Sequence, residues 1–167
     1  MRLRHALFAA ALGGTIAAPA FANHDVGEFF QRNINQQARI EKGLRSGELT
    51  TEEAAGLQRD QGRIARMQAD AIDDGVLTEA ERERIRRMQD RAGEDIYYEK
   101  HNREAGDPNS VSAQRMLAGV ERNLRQQARI QRGIDSGQLT AREVAELLHG
   151  QARLNWRQAR VARDGWV

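Results

Sequence analysis

Apolar residues recur along this chain every three or four positions, and alternation between apolar and polar residues never lasts the length of a strand. That spacing predicts five helices. The first, near 26–45, sets Phe30, Ile34, Ala38 and Leu44 along one side. The second, near 51–72, has Leu57, Ile64 and Ala71 seven apart, and the fifth, near 141–163, has Leu147, Leu154 and Val161 in the same spacing. A seven-residue repeat makes a seam suited to antiparallel helix packing. Ile85, Met88, Ala92 and Ile96 mark the third helix, near 79–102, and Leu117, Val120, Leu124, Ala128 and Ile134 mark the fourth, near 111–135. The expected class is all-α, about five helices in antiparallel hairpins.

The pattern is duplicated. Residues 32–77 align with 122–167 at an offset of 90 without a gap, and 21 of the 46 positions are identical. Gln36-Gln37-Ala38-Arg39-Ile40 returns as Gln126-Gln127-Ala128-Arg129-Ile130. Between the copies, Gly106-Asp107-Pro108-Asn109-Ser110 forms a linker. Pro108 lacks a backbone donor and pushes Asp107 out of helical geometry. The expected organisation is a leader over 1–22, a three-helix unit over 23–105, the linker over 106–110 and a two-helix unit over 111–167. The apolar stripe of the fifth helix then needs a cover, either the first unit or a second chain in a homodimer.

Three turns share one frame: Ser46-Gly47-Glu48-Leu49-Thr50, Asp74-Gly75-Val76-Leu77-Thr78 and Ser136-Gly137-Gln138-Leu139-Thr140. Each glycine stands where a helix ends and can take the left-handed conformation common there. Each threonine is followed three residues on by Glu53, Glu81 or Glu143, the spacing of a capping box. This chemistry explains all three corners without a ligand.

The central turn carries something more. Asp70, Asp74, Val76, Thr78 and Glu81 fall at positions one, five, seven, nine and twelve of a twelve-residue loop whose sixth residue is Gly75. Carboxylates, a backbone carbonyl and a terminal bidentate glutamate are what calcium coordination uses. Ile72 stands at the third position in place of an oxygen ligand, and the other two turns start on Lys42 or Arg132. The stretch Asp70–Glu81 thus resembles a degenerate EF-hand. Residues 30–102 and 122–167, with their Ser-Gly-x-Leu-Thr and Asp-Gly-x-Leu-Thr turns, resemble uncharacterised exported proteobacterial helical-repeat proteins. Leu77-Thr78-Glu79-Ala80-Glu81-Arg82 is similar to the LTxxQ signature of Spy-like periplasmic chaperones, with Glu81 where the glutamine would stand. The latter resemblance implies a small, cofactor-free helical protein that is often dimeric.

The N-terminus reads as an export signal. Arg2 and Arg4 precede an apolar run from Ala6 to Ala18, and Ala20-Phe21-Ala22 fits the small-x-small cleavage rule, giving a periplasmic or secreted protein starting at Asn23. Removing Arg2 and Arg4 from 26 basic residues leaves 24, equal to the 24 acids. A neutral mature chain lacks the basic surplus that nucleic-acid binding needs. No cysteine is present, so disulfides and thiolate chemistry are excluded.

Charge is unevenly placed nonetheless. Arg153, Arg157, Arg160 and Arg163 follow at spacings of four and three on the fifth helix, with no acid between Glu146 and Asp164. Such a stripe suits anionic envelope lipid or an acidic protein client. His24, His101 and His149 are scattered, without metal-ligand spacing. No nucleophile elbow or glycine-rich phosphate loop occurs. The sequence therefore predicts a non-enzymatic, cofactor-free protein-interaction protein, chaperone-like or related to envelope stress. The alternative is a weak calcium-binding module at loop 70–81.

Overall fold

The structure is a computed structural model that describes residues 20–163, with side chains placed for 25–160. Five helices form: α1 (Ala20–Ser46), α2 (Thr51–Ile72), α3 (Glu79–His101), α4 (Val111–Asp135) and α5 (Ala141–Arg163). The described residues contain no strand, and the class is all-α. None of their helices is long and apolar enough to cross a membrane. Residues 1–19 of the expected leader over 1–22, the side chains of Val161 and Arg163, and Trp166 lie outside the described residues, while residues 20–22 belong to α1.

The corners are built as their residues dictate. Gly47, Gly75 and Gly137 hold φ of 79°, 80° and 66°, the left-handed region that a Cβ would strain. Thr50 Oγ1 accepts from the Glu53 amide at 3.2 Å while Glu53 accepts from the Thr50 amide at 2.7 Å. The Thr78–Glu81 and Thr140–Glu143 pairs repeat that reciprocal bonding. In the linker, the Gly106 amide donates to Gly47 O at 2.9 Å, tying it to the first corner, and Ser110 caps α4.

The two repeat units interlock. α2 packs most extensively on α5 and α1 on α4, whereas contacts within each helix–turn–helix unit are fewer. Both pairs are antiparallel: Gly62 and Asp70 of α2 meet Trp156 and His149 of α5, and Gly27 and Arg45 of α1 meet Ile134 and Glu121 of α4. Since each helix lies against its own copy, the four form an arrangement with approximate two-fold symmetry. The core divides the same way. Phe30, Ala69, Ile134, Val144 and Ala145 belong to one buried cluster, and their copies Val120, Ala159, Leu44, Ala54 and Ala55 belong to the other. Of the two covers expected for α5, the first unit supplies one. Val144, Ala145, Leu148, Ala152 and Ala159 are buried, the face α5 turns inward.

Helices within a unit are bridged by amides rather than aliphatic stripes. Asn33 Nδ2 donates to Gln68 Oε1 at 2.6 Å, and the copy Asn123 donates to Gln158 at 3.1 Å. Gln61 donates to Gln36 at 2.9 Å, and the copy Gln151 to Gln126 at 3.1 Å. Gln37 and Gln58 exchange bonds at 3.2 and 2.8 Å. Long amide side chains span a wider gap than Ala or Val would, which accounts for the sparser backbone approach inside each hairpin. A buried amide has to find partners or cost about 1–3 kcal/mol, so these pairs also fix the helix register. The copy of the Gln37–Gln58 pair is broken: the copy of Gln58 is Leu148, which joins the core, and Gln127 Oε1 has no hydrogen-bond partner among the described residues.

α3 lies over α1 and α2. Its Ile85, Gln89, Ala92 and Ile96 are buried. Gln89 Nε2 donates to Phe29 O at 2.8 Å and to Asn33 Oδ1 at 2.6 Å, inserting α3 into the amide network.

Candidate functional site

At the central turn, local bonds engage most of the groups that the calcium reading singled out. Asp74 Oδ1 accepts from the Val76 amide at 2.9 Å, which closes the turn behind Gly75. Glu81 Oε2 accepts from both the amide and the hydroxyl of Thr78, at 2.8 and 2.6 Å. Asp70 lines a pocket that Glu81 also borders, but its carboxylate is engaged outside the turn, 3.8 Å from Arg66 Nε and 3.7 Å from His149 Nε2. Among the described residues no group of three or more His, Cys, Asp or Glu side chains is placed to hold a metal ion.

Asp70 belongs instead to a groove along the seam between α2 and α5, about 740 Å³ in volume. Arg59, Arg63 and Arg66 line it from α2, and Arg153, Arg157 and Arg160 from α5. These helices are copies packed antiparallel, so a stripe present on each is brought face to face. Arg63 and Arg153 are copies of each other and stand near the middle of the seam. Spacings of four and three keep each set on one edge of its helix.

The floor between the arginines is apolar, made by Ala152, Ala159 and the indole of Trp156. Trp156 is half exposed and rests on Gly62, where a Cβ would come within 2.1 Å of the indole Cδ1. Only a glycine admits the ring this close to α2.

Charge in the groove is poorly compensated. Arg63 pairs with Asp60 at 3.0 Å, and Arg66 and His149 share Asp70. Burial pushes Asp60 above the usual aspartate range, against the pull of Arg63. Arg153, Arg157 and Arg160 have no carboxylate within 4 Å among the described residues, although salt bridges cover much of the remaining surface. A guanidinium presents a planar fork of donors that matches a carboxylate or phosphate two bonds at a time. The arrangement is a basic groove with an aromatic floor, open to solvent along its length.

Compared with known proteins, the chain matches no family model, no curated protein and no solved structure. The site must be read from its own geometry.

Of the stripe expected from sequence, Arg153, Arg157 and Arg160 line the groove, while the Arg163 side chain lies outside the described residues. Arg59, Arg63 and Arg66 were missed. Acids at Asp60 and Asp70 interrupt the α2 series, so it did not stand out as a run. The duplication held the signal, because Arg63 and Arg153 align at the 90-residue offset.

Proposed function

We propose that this protein is a non-enzymatic, exported protein-interaction protein that takes an acidic segment of a client in the arginine-lined seam between α2 and α5, in a chaperone-like or envelope-stress role. The observation that carries the reading is the convergence of six arginines from two copied helices on one open groove, with no carboxylate within 4 Å of Arg153, Arg157 or Arg160 among the described residues. Holding uncompensated like charges together costs stability, and an anionic partner relieves that cost. The Trp156 floor adds apolar contact that a solvated charged face would lack. The groove is open along its length, with Arg63 and its copy Arg153 near the middle, which suits an extended client better than one small ligand.

Because the groove is open, binding is electrostatic, modest and screened within about a Debye length, roughly 8 Å at physiological ionic strength. The test is a titration of the mature protein with polyglutamate and, separately, with phosphatidylglycerol vesicles, followed by Trp156 emission in a Trp166→Phe background. Salt-sensitive binding of polyglutamate that Arg63→Glu with Arg66→Glu abolishes supports the reading. Binding only to vesicles assigns the groove to anionic envelope lipid, and binding to neither overturns the proposal.

A further inference from the structure

A second trough, about 930 Å³, runs between α4 and α5 and shares Arg153 and Arg157 of α5 with the seam groove. Its lining repeats, 90 residues on, the bed in which α3 lies. Ile40, Leu49 and Leu57 are buried in one cluster with Ile96 of α3, and Ile64 is buried further along α2. Their copies Ile130, Leu139, Leu147 and Leu154 line the trough, where Leu147 is 39% exposed against 3% for Leu57. The bed also binds α3 through its backbone: Gln36 Nε2 donates to Gln89 O at 2.5 Å, and Arg39 donates to Gly93 O at 3.2 Å. The copies Gln126 and Arg129 line the trough too. Arg129 has no hydrogen-bond or ionic partner among the described residues, and Gln126 only accepts, from Gln151. The second unit thus keeps the apolar floor and the carbonyl-seeking donors of a helix-docking bed, with no helix on it among the described residues.

Charge selects the occupant. Where the bed has the acids Glu48 and Asp60, the trough has Gln138 and Gly150, and where the bed has Met67 the trough has Arg157. The one acid gained, Glu146 for Gly56, is already 3.6 Å from Arg142. Arg129, Arg132, Arg153 and Arg157 leave the trough basic, so two such faces repel and a second copy docking face to face is disfavoured. We propose that the trough between α4 and α5 is a docking site for an amphipathic helix of a partner protein. That helix is seated as α3 is seated on α1 and α2, and it carries carboxylates on the edge that meets Arg157. In the template, Arg84 and Met88 of α3 border Met67, the copy of Arg157. A carboxylate at either position therefore reaches that guanidinium.

The probe is a fluorescein-labelled peptide of residues 79–101 carrying Arg84→Glu and Met88→Glu, titrated into the full mature protein by anisotropy and localised by hydrogen exchange. Expected are saturable binding, added protection over 126–154, and affinity lowered at least about tenfold by Leu147→Asp and, separately, by Arg157→Glu. Both positions are exposed, so circular dichroism can show that each variant stays folded. Absence of binding by the folded protein overturns the proposal, as does protection confined to α1 and α2 or affinity unchanged in both variants. A dimer in sedimentation that Leu147→Asp converts to monomer also overturns it, by naming a second copy as the occupant. Arg63→Glu with Arg66→Glu, which disables the seam, leaves this binding intact, so the two sites fail separately.

Discussion

Leu57 and Leu147 are copies of one residue in a duplicated unit, yet the first is sealed under α3 and the second faces an open trough. The same side chain is core in one place and surface in the other because one unit carries a third helix against it. Leu57→Ala therefore destabilises the protein by about 2–5 kcal/mol, the range for emptying a packed leucine site. Leu147→Ala costs about 1 kcal/mol or less, as expected of a surface position. Urea unfolding of the two variants measures the contrast, and equal losses would mean that Leu147 is covered in solution.

The amide pairs separate register from bulk stability. Asn33 bonds both Gln68 and Gln89, so Asn33→Ala strands the buried Gln68 amide, leaves Gln89 only its bond to Phe29 O, and costs about 1–3 kcal/mol. Gln37 and Gln58 bond chiefly each other. Replacing both by Leu removes the polar groups together and is close to neutral, within about 1 kcal/mol. Denaturant midpoints of the single and double variants give the comparison.

Gly62→Ala drives the Trp156 ring out of the seam, because the new methyl group would occupy its place. In a Trp166→Phe background the emission of Trp156 shifts to the red as the ring gains water. An unshifted spectrum with an unchanged melt would show that the ring does not rest on Gly62.

Glu53 carries the clearest acid sensitivity. Burial alone would raise its pKa, but bonds from Asn102 and from the amide and hydroxyl of Thr50 outweigh it and hold the carboxyl below its ordinary value of 4.5. A lowered folded value means that its stabilisation is complete above that ordinary value and is lost as pH falls through the folded one. Glu99, raised by burial and by Glu53, has the opposite sign and takes its proton first. Residue-resolved NMR titration should find Glu53 titrating below Glu99. Asn102→Ala should move Glu53 upward and shift the acid limb of the stability curve to higher pH.

Calcium is settled by a melt. Glu81 caps α3 and Asp74 closes its own turn, so a metal would have to displace bonds already made. The midpoint is expected to stay fixed at several millimolar calcium. A rise that Asp70→Ala with Asp74→Ala erases would instead establish binding to the folded state.

Helices, corners and duplication were legible because each is local: 3.6-residue spacing, the Gly–Thr–Glu frame and the offset of 90 need no tertiary knowledge. The seven-residue seam was half right. Leu57, Ile64 and Ala71 are buried, but Leu147 and Leu154 are only partly covered, because burial depends on a neighbour that periodicity does not name. Periodicity of apolar residues does not reveal the buried glutamines. Gln36-Gln37 and Gln126-Gln127 recur in both units, and that recurrence was the available sign of a structural role. Likewise the α5 arginines were visible as a stripe, while the groove required knowing that α2 packs on its own copy.

The central claim is that the α2–α5 seam binds an acidic chain through its arginines, and the most direct measurement is a charge swap at the two-fold centre. The affinity for labelled polyglutamate is compared between the wild-type protein and Arg63→Glu with Arg153→Glu, at low and physiological salt. Binding is expected to weaken with salt and to fall at least about tenfold in the variant, which binds polylysine instead. Polyglutamate affinity unchanged by the swap in a folded protein would contradict the claim.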